Sequence, residues 1–417
     1  MSPRAPSPGD MLSLAIEKPA AGGRMIARLD GRVVLVGGAI PGERVTARIE
    51  RAGKGVLFAD TLTPDEPSPD RRPVSSDPLC GGCLYAHIGY TRQLALKSDV
   101  IADAFARIGH IELPDKVRVA PSPEEGYRMR ARVHVRGQQY GFFREGTHDI
   151  CDARATGQLL PSSCDMLDRL TAALRSVGAG STPGVREIEL SENVDASGRA
   201  VCFEMANALD VRTMQRLSQT EGLTGFGPEA TVTDAVTVDG VPLVLRRNVL
   251  AFFQGNRYLL QDLVAHVVGQ VPVGVSVVDL YAGAGLFAVG AAACRRASVK
   301  AVEGDRVSAA DLTVNAAALD IEARHEPVEA FLAALRRAPD ALIVDPPRTG
   351  MSREALDGVI RLRAGRLIYV SCDVATLARD SRRLIEAGYV VARADAFDLF
   401  PNTPHVETVV VFDRTSG

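Results

Sequence analysis

A carboxylate and a thiol follow two short apolar runs in the last third of the chain. Asp345, with Pro346 and Pro347 behind it, comes directly after the first run, and Cys372 comes directly after the second. If both runs are parallel strands, their carboxyl ends meet at one edge of a sheet, where open α/β sheets bind ligands. A lone cysteine at a strand end is often only a small buried hydrophobe. Beside a carboxylate at a ligand edge, however, Cys372 is a candidate nucleophile.

A glycine turn and an acid precede these two segments. In the stretch from Asp279 to Gly285, small residues stand where a strand turns into a helix, so a ligand can approach the backbone and the helix N-terminus. Glu303 ends the next apolar run, where a carboxylate can accept hydrogen bonds from a ribose diol. The pattern predicts a nucleotide-like cofactor, and a purely structural turn is the alternative.

The elements that position these residues alternate between strand and helix. Short β-rich runs separated by helical segments predict a parallel, doubly wound sheet in the C-terminal part. These runs are residues 275–280, 298–302, 341–344 and 367–370. The strand-rich tail, residues 388–412, predicts a hairpin at the edge of this sheet.

The preceding parts of the chain have other patterns. Short alternating segments between residues 10 and 60, separated by glycine turns, predict a small antiparallel barrel, and the prolines of residues 64–78 predict a linker. Apolar residues at helical spacing predict a helix from Tyr90 to Ile108 with Gly109 as its C-cap. The expected fold is therefore multi-domain: a β-barrel (8–64), an α+β middle domain (65–250) and a Rossmann-like α/β domain (251–417).

Composition narrows the class of protein. The 417 residues are 46% hydrophobic and 24% charged, as in globular chains. Residues 263–278 form the longest stretch without Asp, Glu, Lys or Arg, which is shorter than the ~18–20 residues of a membrane span. Since the N-terminus also lacks a secretory apolar core, we expect a cytoplasmic protein with no membrane partner. We also expect the protein to be a monomer. Seven cysteines form no disulfide framework, and a net charge of −3 requires any nucleic-acid binding to use a local basic face.

Such a face is predicted within residues 127–136. Apolar and cationic residues alternate there, which predicts a strand with one core side and one cationic side. The cationic residues are Arg128, Arg130, Arg132, His134 and Arg136. With Arg144, five arginines lie between Tyr127 and His148, and this local positive surface suits phosphates of an RNA. The alternative is that the arginines pair with acids of the middle domain.

Five ordered motifs resemble those of the RNA 5-methyluridine methyltransferases. They are Phe252-Phe-Gln254-Gly-Asn256, Asp279-Leu-Tyr-Ala-Gly-Ala-Gly285, Asp345-Pro-Pro-Arg348, Val370-Ser-Cys372-Asp373 and Phe400-Pro-Asn-Thr-Pro-His405-Val-Glu407-Thr408. The glycine turn with Glu303 also resembles the cofactor site of class I S-adenosylmethionine methyltransferases. The N-terminal barrel is similar to the RNA-binding TRAM module of many members, so the resemblance covers nearly the whole chain.

The resemblance implies a cofactor and a division of roles. Residues matching Gln254, Tyr281, Glu303 and Asp345 hold S-adenosyl-L-methionine in that family, and those matching Cys372 and Glu407 are catalytic. A thiolate adding to carbon 6 of uracil makes carbon 5 nucleophilic toward a methylsulfonium. A carboxylate then removes the carbon 5 proton, which is the role expected of Glu407. The target base must leave its stack to reach the thiol.

The resemblance favours 23S ribosomal RNA as the substrate, because the barrel is typical of the ribosomal branch. Transfer RNA is an alternative substrate for the same uracil-C5 chemistry. A nitrogen-directed RNA methyltransferase, in which Asp345 and its prolines orient an amino group, is a second alternative and needs no thiol. A non-enzymatic RNA chaperone with a relic pocket is the third.

Two cysteines match part of a metal-ligand pattern. Relatives often hold a 4Fe-4S cluster on four cysteines, and Cys80 and Cys83 fit the middle pair. The first position is Val74 and the fourth falls near Thr156, so two ligands are missing and we expect the cluster to be lost. Cys151 and Cys164 flank the fourth position and can substitute for it if the loop is shifted, and a zinc site on the same residues is a further alternative.

Overall fold

A computed structural model describes residues 6–74, 76–137, 139–177, 184–205 and 209–415. The N-terminal part is a closed barrel of five strands in the order β1-β2-β3-β5-β4. The strands are β1 (Met11–Pro19), β2 (Met25–Leu29), β3 (Arg32–Gly37), β4 (Arg44–Ala52) and β5 (Val56–Glu66). Alternate apolar residues such as Leu14, Val34 and Ile49 fill its interior, which confirms the barrel predicted from the alternation. The barrel is not wholly antiparallel as predicted, because β3 and β5 pair in parallel. Strand β5 includes Pro64, so regular structure extends into the segment expected to be a linker.

A helix and a short strand follow the barrel. Helix α1 (Tyr90–Ala104) continues into a π-helical turn (Phe105–Gly109), and β6 (Arg118–Ala120) comes next. The left-handed residue that ends the helix is His110, with φ 55°, and not Gly109 as predicted. Gly109 has a different reason to be glycine, because an added Cβ would lie 3.1 Å from the carbonyl oxygen of Ala378.

The middle region is built on a six-stranded sheet in the order β12-β11-β10-β7-β8-β9. Its elements are β7 (Arg130–Arg136), β8 (Gln139–Phe143), β9 (Ile150–Asp152), α2 (Pro161–Val177), β10 (Val185–Glu192), β11 (Arg199–Met205), α3 (Val211–Ser218) and β12 (Gly225–Phe226). Val133 and Ile188 of the sheet pack with Leu170 of α2 in one apolar core. A separate hairpin follows, with strands β13 (Thr231–Val238) and β14 (Val241–Asn248).

The C-terminal part alternates strands and helices, as predicted. Its elements are α4 (Leu260–Gly269), β15 (Ser276–Leu280), α5 (Leu286–Arg295), β16 (Ser298–Glu303), α6 (Arg306–Ala316), β17 (Ile321–His325), α7 (Val328–Ala334), β18 (Ala341–Val344), α8 (Arg353–Leu362), β19 (Arg366–Ser371), α9 (Val374–Glu386), β20 (Tyr389–Phe397) and β21 (Glu407–Arg414). The parallel strands have buried residues on both faces, which explains why they are continuous apolar runs in the sequence.

The C-terminal sheet has eight strands in the order β17-β16-β15-β18-β19-β21-β20-β6. The β20–β21 hairpin predicted for the tail is present, but it does not form the sheet edge. Strand β21 inserts antiparallel between β19 and β20, and β6 pairs in parallel with the outer side of β20 through Arg118↔Asp395. The prediction of a hairpin at the edge was wrong, because β6 arrives from more than 250 residues earlier in the chain.

Two apolar layers cover the faces of this sheet. Helices α4, α5 and α6 form one layer, and α1, α7, α8 and α9 form the other. The functional edge lies between the layers, at the carboxyl ends of β15, β16, β18 and β19. Within the described ranges, no helix is long and apolar enough to cross a membrane.

Candidate active site

The turn between β15 and α5 bends sharply enough to bring backbone to the edge of the sheet. Tyr281 has φ 62°, Gly283 has φ 56° and Gly285 has φ 92°, so three residues lie in the left-handed region. An added Cβ at Gly285 would lie 2.8 Å from Cδ1 of Leu312, so only glycine fits at the start of the helix. The glycines therefore bring the backbone of the turn to the N-terminus of α5 at the edge of the sheet.

Two acids flank this turn in different ways. Asp279 is fully buried, and both its carboxylate oxygens lack a hydrogen-bond partner among the described residues. Burial, followed by the charge of Asp345, raises the pKa of Asp279 well above its ordinary value. Glu303 is half-buried and accepts hydrogen bonds from the backbone N–H of Gly283 at 2.7 Å and of Asp305 at 2.6 Å. Its carboxylate is thus held in place at the end of β16.

Asp345 and Gln254 meet across the edge of the sheet. The side-chain amide of Gln254 donates to the Asp345 carboxylate at 3.2 Å, although the two residues are 91 positions apart. Burial raises the pKa of Asp345 to about 7, and the hydrogen bond from Gln254 lowers it. Tyr281 stands nearby on the glycine turn, half-buried, and burial raises the pKa of its hydroxyl. The four residues predicted to hold the cofactor therefore line the carboxyl ends of three neighbouring strands, β16, β15 and β18.

Cys372 and Glu407 belong to the same electrostatic cluster. Cys372 follows β19 and carries a free, half-buried thiol, while Glu407 begins the neighbouring β21 and is 3% exposed. Burial, followed by the charge of Glu407, raises the pKa of the Cys372 thiol to about 11, and Arg348 acts in the opposite direction. Burial and then Asp345 raise the pKa of Glu407 well above its ordinary value, and Arg348 again acts in the opposite direction. The charge of Glu407 thus acts on the Cys372 thiol, and Arg348 acts on both groups at one edge.

Three cationic or ring side chains complete the cluster, and sequence reasoning assigned none of them a role at the thiol. Arg348 is exposed, and its charge lowers the pKa of both Cys372 and Glu407. Burial and the neighbouring charge of Arg348 lower the pKa of His405 to about 4, so this imidazole is neutral. Arg128 is half-buried and donates to Gln158 Oε1 at 2.7 Å. The only sequence signal for Arg348 is its place directly after the two prolines that follow Asp345.

The charge balance of the edge fits a cationic cofactor. Asp279 and Glu407 are buried and Asp345 is half-buried, and all three carboxyl groups have raised pKa values because removal from water disfavours their ionised forms. The orphaned oxygens of Asp279 need a donor that the described protein residues do not supply. S-adenosyl-L-methionine carries an ammonium and a sulfonium group, whose positive charges match these carboxylates. It also carries a ribose, whose hydroxyls match the carboxylate of Glu303.

The predicted cationic strand face is largely neutralised. Across the β7–β10 pairing, Arg132 bonds to Glu189 at 2.5 Å, and His134 Nδ1 lies 3.0 Å from Glu187. Arg130 lies 3.8 Å from Glu189, so the pairing of these cations with acids of the middle region is the alternative that the structure supports. A free basic surface along this strand was therefore the wrong expectation, because β10 places its acids in register with the cations.

An aromatic side chain at the rim is more exposed than its type normally allows. Phe252 is 60% exposed, and the guanidinium of Arg130 stands 6.0 Å from its ring centre. Its carbonyl oxygen lies 3.9 Å from where a Cβ of Gly283 would stand, so Phe252 borders the cofactor turn. Sequence reasoning quoted Phe252 only as part of a motif, because local pattern does not separate an exposed aromatic from a buried one.

The cysteines of the middle region do not form a four-thiolate site. Cys80 forms a disulfide with Cys151, while Cys83 and Cys164 are free and buried. At the position near Thr156, where the fourth ligand was expected to be missing, the threonine hydroxyl donates to the carbonyl of Ala153. Among the residues described, no group of three or more metal-binding side chains occurs. The side chains brought together here therefore do not supply the four thiolates of a 4Fe-4S cluster.

Comparison with known families matches both ends of the chain. The model of the TRAM domain matches residues 8–62, which include the five-stranded barrel up to near its end. The model of the tRNA (Uracil-5-)-methyltransferase family matches residues 332–415, which include Asp345, Cys372 and Glu407. The two matches agree with the fold at each end.

Relatives of known name are similar over nearly the full length. The 23S rRNA (uracil(1939)-C(5))-methyltransferase RlmD of Pseudomonas entomophila is 32% identical, with 97% of this chain and 94% of that protein covered. The protein of the same name from Methylococcus capsulatus is 31% identical over 99% of both. The solved Pyrococcus abyssi tRNA (uracil-54, C5)-methyltransferase shares the fold, with a TM-score of 0.72, 23% identity, and 96% and 99% of the two chains covered. These matches show that the chain belongs to the S-adenosylmethionine-dependent RNA uracil-C5 methyltransferases.

Proposed function

We propose that this protein methylates carbon 5 of a uridine in 23S ribosomal RNA through a covalent adduct with Cys372. The observation that carries the proposal is the shared electrostatic cluster of Cys372, Glu407 and Asp345 at one sheet edge. A nitrogen-directed methyltransferase has no use for a thiol there. The choice of 23S rRNA is supported by the names of relatives that are about a third identical over nearly the whole chain.

In this proposal, Cys372 is the nucleophile. Its thiolate forms a bond to carbon 6 of the uracil, and the displaced electron pair makes an enolate whose carbon 5 is nucleophilic. Burial and Glu407 raise the thiol pKa to about 11, which disfavours the thiolate, whereas the positive charge of Arg348 acts in the opposite direction and favours the thiolate that the reaction needs. Gln254, Tyr281, Glu303 and Asp345 would hold S-adenosyl-L-methionine, whose methylsulfonium would give its methyl group to carbon 5 and leave as a neutral thioether that keeps the electron pair of the broken S–C bond.

Glu407 is the base that completes the reaction. After methylation, carbon 5 still carries its original proton, and the Glu407 carboxylate accepts that proton. The electrons of the broken C–H bond restore the ring double bond, the bond from carbon 6 to sulfur breaks, and Cys372 regains its thiolate. A carboxylate whose pKa is raised by burial is a stronger base than an exposed one, which suits this step.

The proposed function also assigns RNA binding to the parts of the chain that precede the methyl-transfer domain. In the proposed division, the barrel (8–64) and the middle region (65–250) contact RNA, and residues 251–417 carry out the methyl transfer. The target uridine must be turned out of its stack, which costs a few kcal/mol. The exposed ring of Phe252 beside Arg130 is a stacking surface at the rim that can offset part of this cost, because base–aromatic stacking contributes about 1–3 kcal/mol per base.

The test uses the purified full chain, methyl-labelled S-adenosyl-L-methionine and unmodified transcripts of 23S rRNA and transfer RNA. We expect 5-methyluridine in the 23S transcript, located by mass mapping. With 5-fluorouridine at the target, carbon 5 has no proton to lose, so wild-type enzyme should form an adduct that survives denaturing gels.

Two variants decide the mechanism. Cys372→Ala should form no adduct, whereas Cys294→Ala, which alters a free cysteine at the C-terminal end of α5, should behave as wild type. Methylation by Cys372→Ala at the wild-type rate would overturn the covalent mechanism. Methylation of transfer RNA alone would overturn the assignment of the substrate.

A further inference from the structure

The segment that joins β20 to β21, residues 398–406, brings His405 and then Glu407 to the active site. It contains no helix and no strand, so its backbone polar groups need partners elsewhere. Several of these partners come from residues 72–127, about 300 positions earlier in the chain. The hydroxyl of Tyr127, for example, donates to the carbonyl of Pro401 at 3.4 Å.

Asn402 is the residue of this segment with the most hydrogen bonds to earlier parts of the chain. Its φ of 63° lies in the left-handed region, which asparagine tolerates better than most residues. Its backbone N–H donates to Oε1 of Gln93 at 3.0 Å, and its carbonyl oxygen accepts from the backbone N–H of Tyr85 at 2.8 Å. Both backbone groups of Asn402 are therefore bonded to the region that leads into and includes α1.

The side chain of Asn402 is tied to the same region. Its Oδ1 accepts from Gln93 Nε2 at 2.9 Å and from Arg72 Nη2 at 2.7 Å. Gln93 is fully buried, and its amide also donates to the carbonyls of Tyr85 and Ile88. Without Asn402 Oδ1, the half-buried Arg72 and the buried Gln93 each lose the acceptor that joins them to this segment, although the Gln93 amide keeps the two carbonyls.

Two further contacts fix the ends of the segment. Lys97 of α1 is buried, pairs with Asp398 and donates to the carbonyl of Phe400 at 3.2 Å. On the barrel, an added Cβ at Gly23 would lie 3.0 Å from Cγ of Pro404, so the β1–β2 turn touches the residue before His405. The barrel, α1 and the catalytic sheet thus meet on this one segment.

We infer that Asn402 is a positioning residue for the reaction: through Gln93 and Arg72 it fixes residues 398–406 and thereby sets where the carboxylate of Glu407 stands relative to Cys372. The inference rests on the proposed function, because it assigns Glu407 as the base. The physical reason is that Glu407 is the first residue of β21 and directly follows the segment. The position of its carboxylate therefore depends on both the sheet and the segment.

The test is Asn402→Gly, which keeps the left-handed backbone accessible and removes only the side-chain acceptor. We expect kcat for RNA methylation to fall at least tenfold, because small misplacements of a catalytic group cost up to about 100-fold in rate. The Kd for S-adenosyl-L-methionine, measured by calorimetry, should stay within twofold of wild type. Slow proton removal should also leave a methylated protein–RNA adduct that is seen on denaturing gels. Asn402→Asp, which keeps an acceptor for Gln93 and Arg72, should restore kcat.

Asn193→Gly is the matched control. Asn193 ties the β10–β11 turn through Gly198 and Thr233, away from the active-site edge, and its variant should keep the wild-type kcat. Wild-type kcat in Asn402→Gly would overturn the inference, and so would a parallel loss of kcat, cofactor affinity and melting temperature. Failure of the proposed function is recognised separately, because wild-type enzyme would then form no adduct with the 5-fluorouridine RNA.

Discussion

Two regions of this molecule bury carboxylates, and they treat the charge in opposite ways. In the middle region, the fully buried Glu192 receives hydrogen bonds from Arg199 and Arg257, each at 2.5 Å. Nearby, Arg247 and Asp234 form a fully buried ion pair at 2.6 Å. At the active-site edge, Asp279 and Glu407 are also buried and Asp345 is half-buried, but among the described residues no buried arginine or lysine is hydrogen-bonded to these carboxyl groups.

The difference distinguishes buried carboxylates that stabilise the fold from those that are available to a ligand. A buried ion pair with complete hydrogen bonding holds elements together, since removing one partner strands the other charge. Buried carboxyl groups without a cationic partner make the folded state less stable once they ionise, unless a ligand brings positive charge. The edge with unpaired acids is therefore where a cationic cofactor contributes most to both binding and stability.

The largest expected effect tests the catalytic side of this comparison. Glu407→Gln keeps the shape and removes the base, so we expect turnover to fall by about 10²–10⁴-fold. The cofactor should still bind, and a methylated adduct should accumulate on denaturing gels. Glu386→Gln, an exposed change on α9, serves as the control and should keep full turnover. Full turnover by Glu407→Gln would contradict the role assigned to this carboxylate.

The next effect tests the structural side. Glu192→Ala leaves Arg199 and Arg257 without their shared partner, and we expect the free energy of unfolding to fall by about 3–5 kcal/mol. Urea unfolding measures this loss. Glu221→Ala removes an exposed carboxylate 3.7 Å from Arg169 and should change stability by less than about 0.5 kcal/mol. Equal effects of the two changes would remove the distinction drawn between the two regions.

A smaller effect concerns pH. The pKa of Asp345 is about 7 in the ligand-free protein, and only its ionised form favours a cationic ligand. Affinity for S-adenosyl-L-methionine should therefore rise by up to about tenfold as pH increases from 6 to 8, with proton release on binding. Calorimetry in buffers of different ionisation enthalpy measures both quantities. A pH-independent affinity would show that ionisation of Asp345 is not linked to binding.

The smallest expected effect is an increase in melting temperature on removal of an active-site carboxylate. Because the folded protein raises the pKa of Asp345, this group lowers stability at pH values above its unfolded pKa, and the penalty is complete once pH exceeds about 7. Asp345→Asn removes the penalty and can still accept the Gln254 hydrogen bond. We expect a melting temperature about 2–4 °C higher at pH 8, the shift given by 1 kcal/mol.

This gain should vanish toward pH 4, where the wild-type carboxyl is protonated in the folded protein. Cofactor affinity should fall in the same variant. A lower melting temperature at pH 8 would mean that the ionised Asp345 has a stabilising partner after all.

The sequence was sufficient for features that local pattern determines. The apolar runs at 298–302 and 341–344 predicted strands because both faces of a parallel strand are buried, and the alternation in residues 10–60 predicted the barrel. The multi-domain fold class is confirmed by the structure and the TRAM match. The roles of the cofactor and catalytic residues stay predictions.

Features that depend on distant partners were missed. Strand β6 has only three residues and pairs with a strand more than 250 positions away, so no local periodicity predicts it. The acids that neutralise Arg132 and His134 lie on β10, which the alternation of β7 cannot reveal. The Cys80–Cys151 bond and the contacts of Asn402 are likewise properties of chain packing.

Strand β6 has a consequence for anyone who wishes to dissect this enzyme. A fragment that starts at residue 251 lacks β6 and leaves the outer side of β20 without its partner. Open strand edges pair with other chains, so such a fragment is prone to aggregate. A fragment intended to keep this sheet closed at β20 must therefore include residues 118–120, although they lie more than 250 positions before that strand.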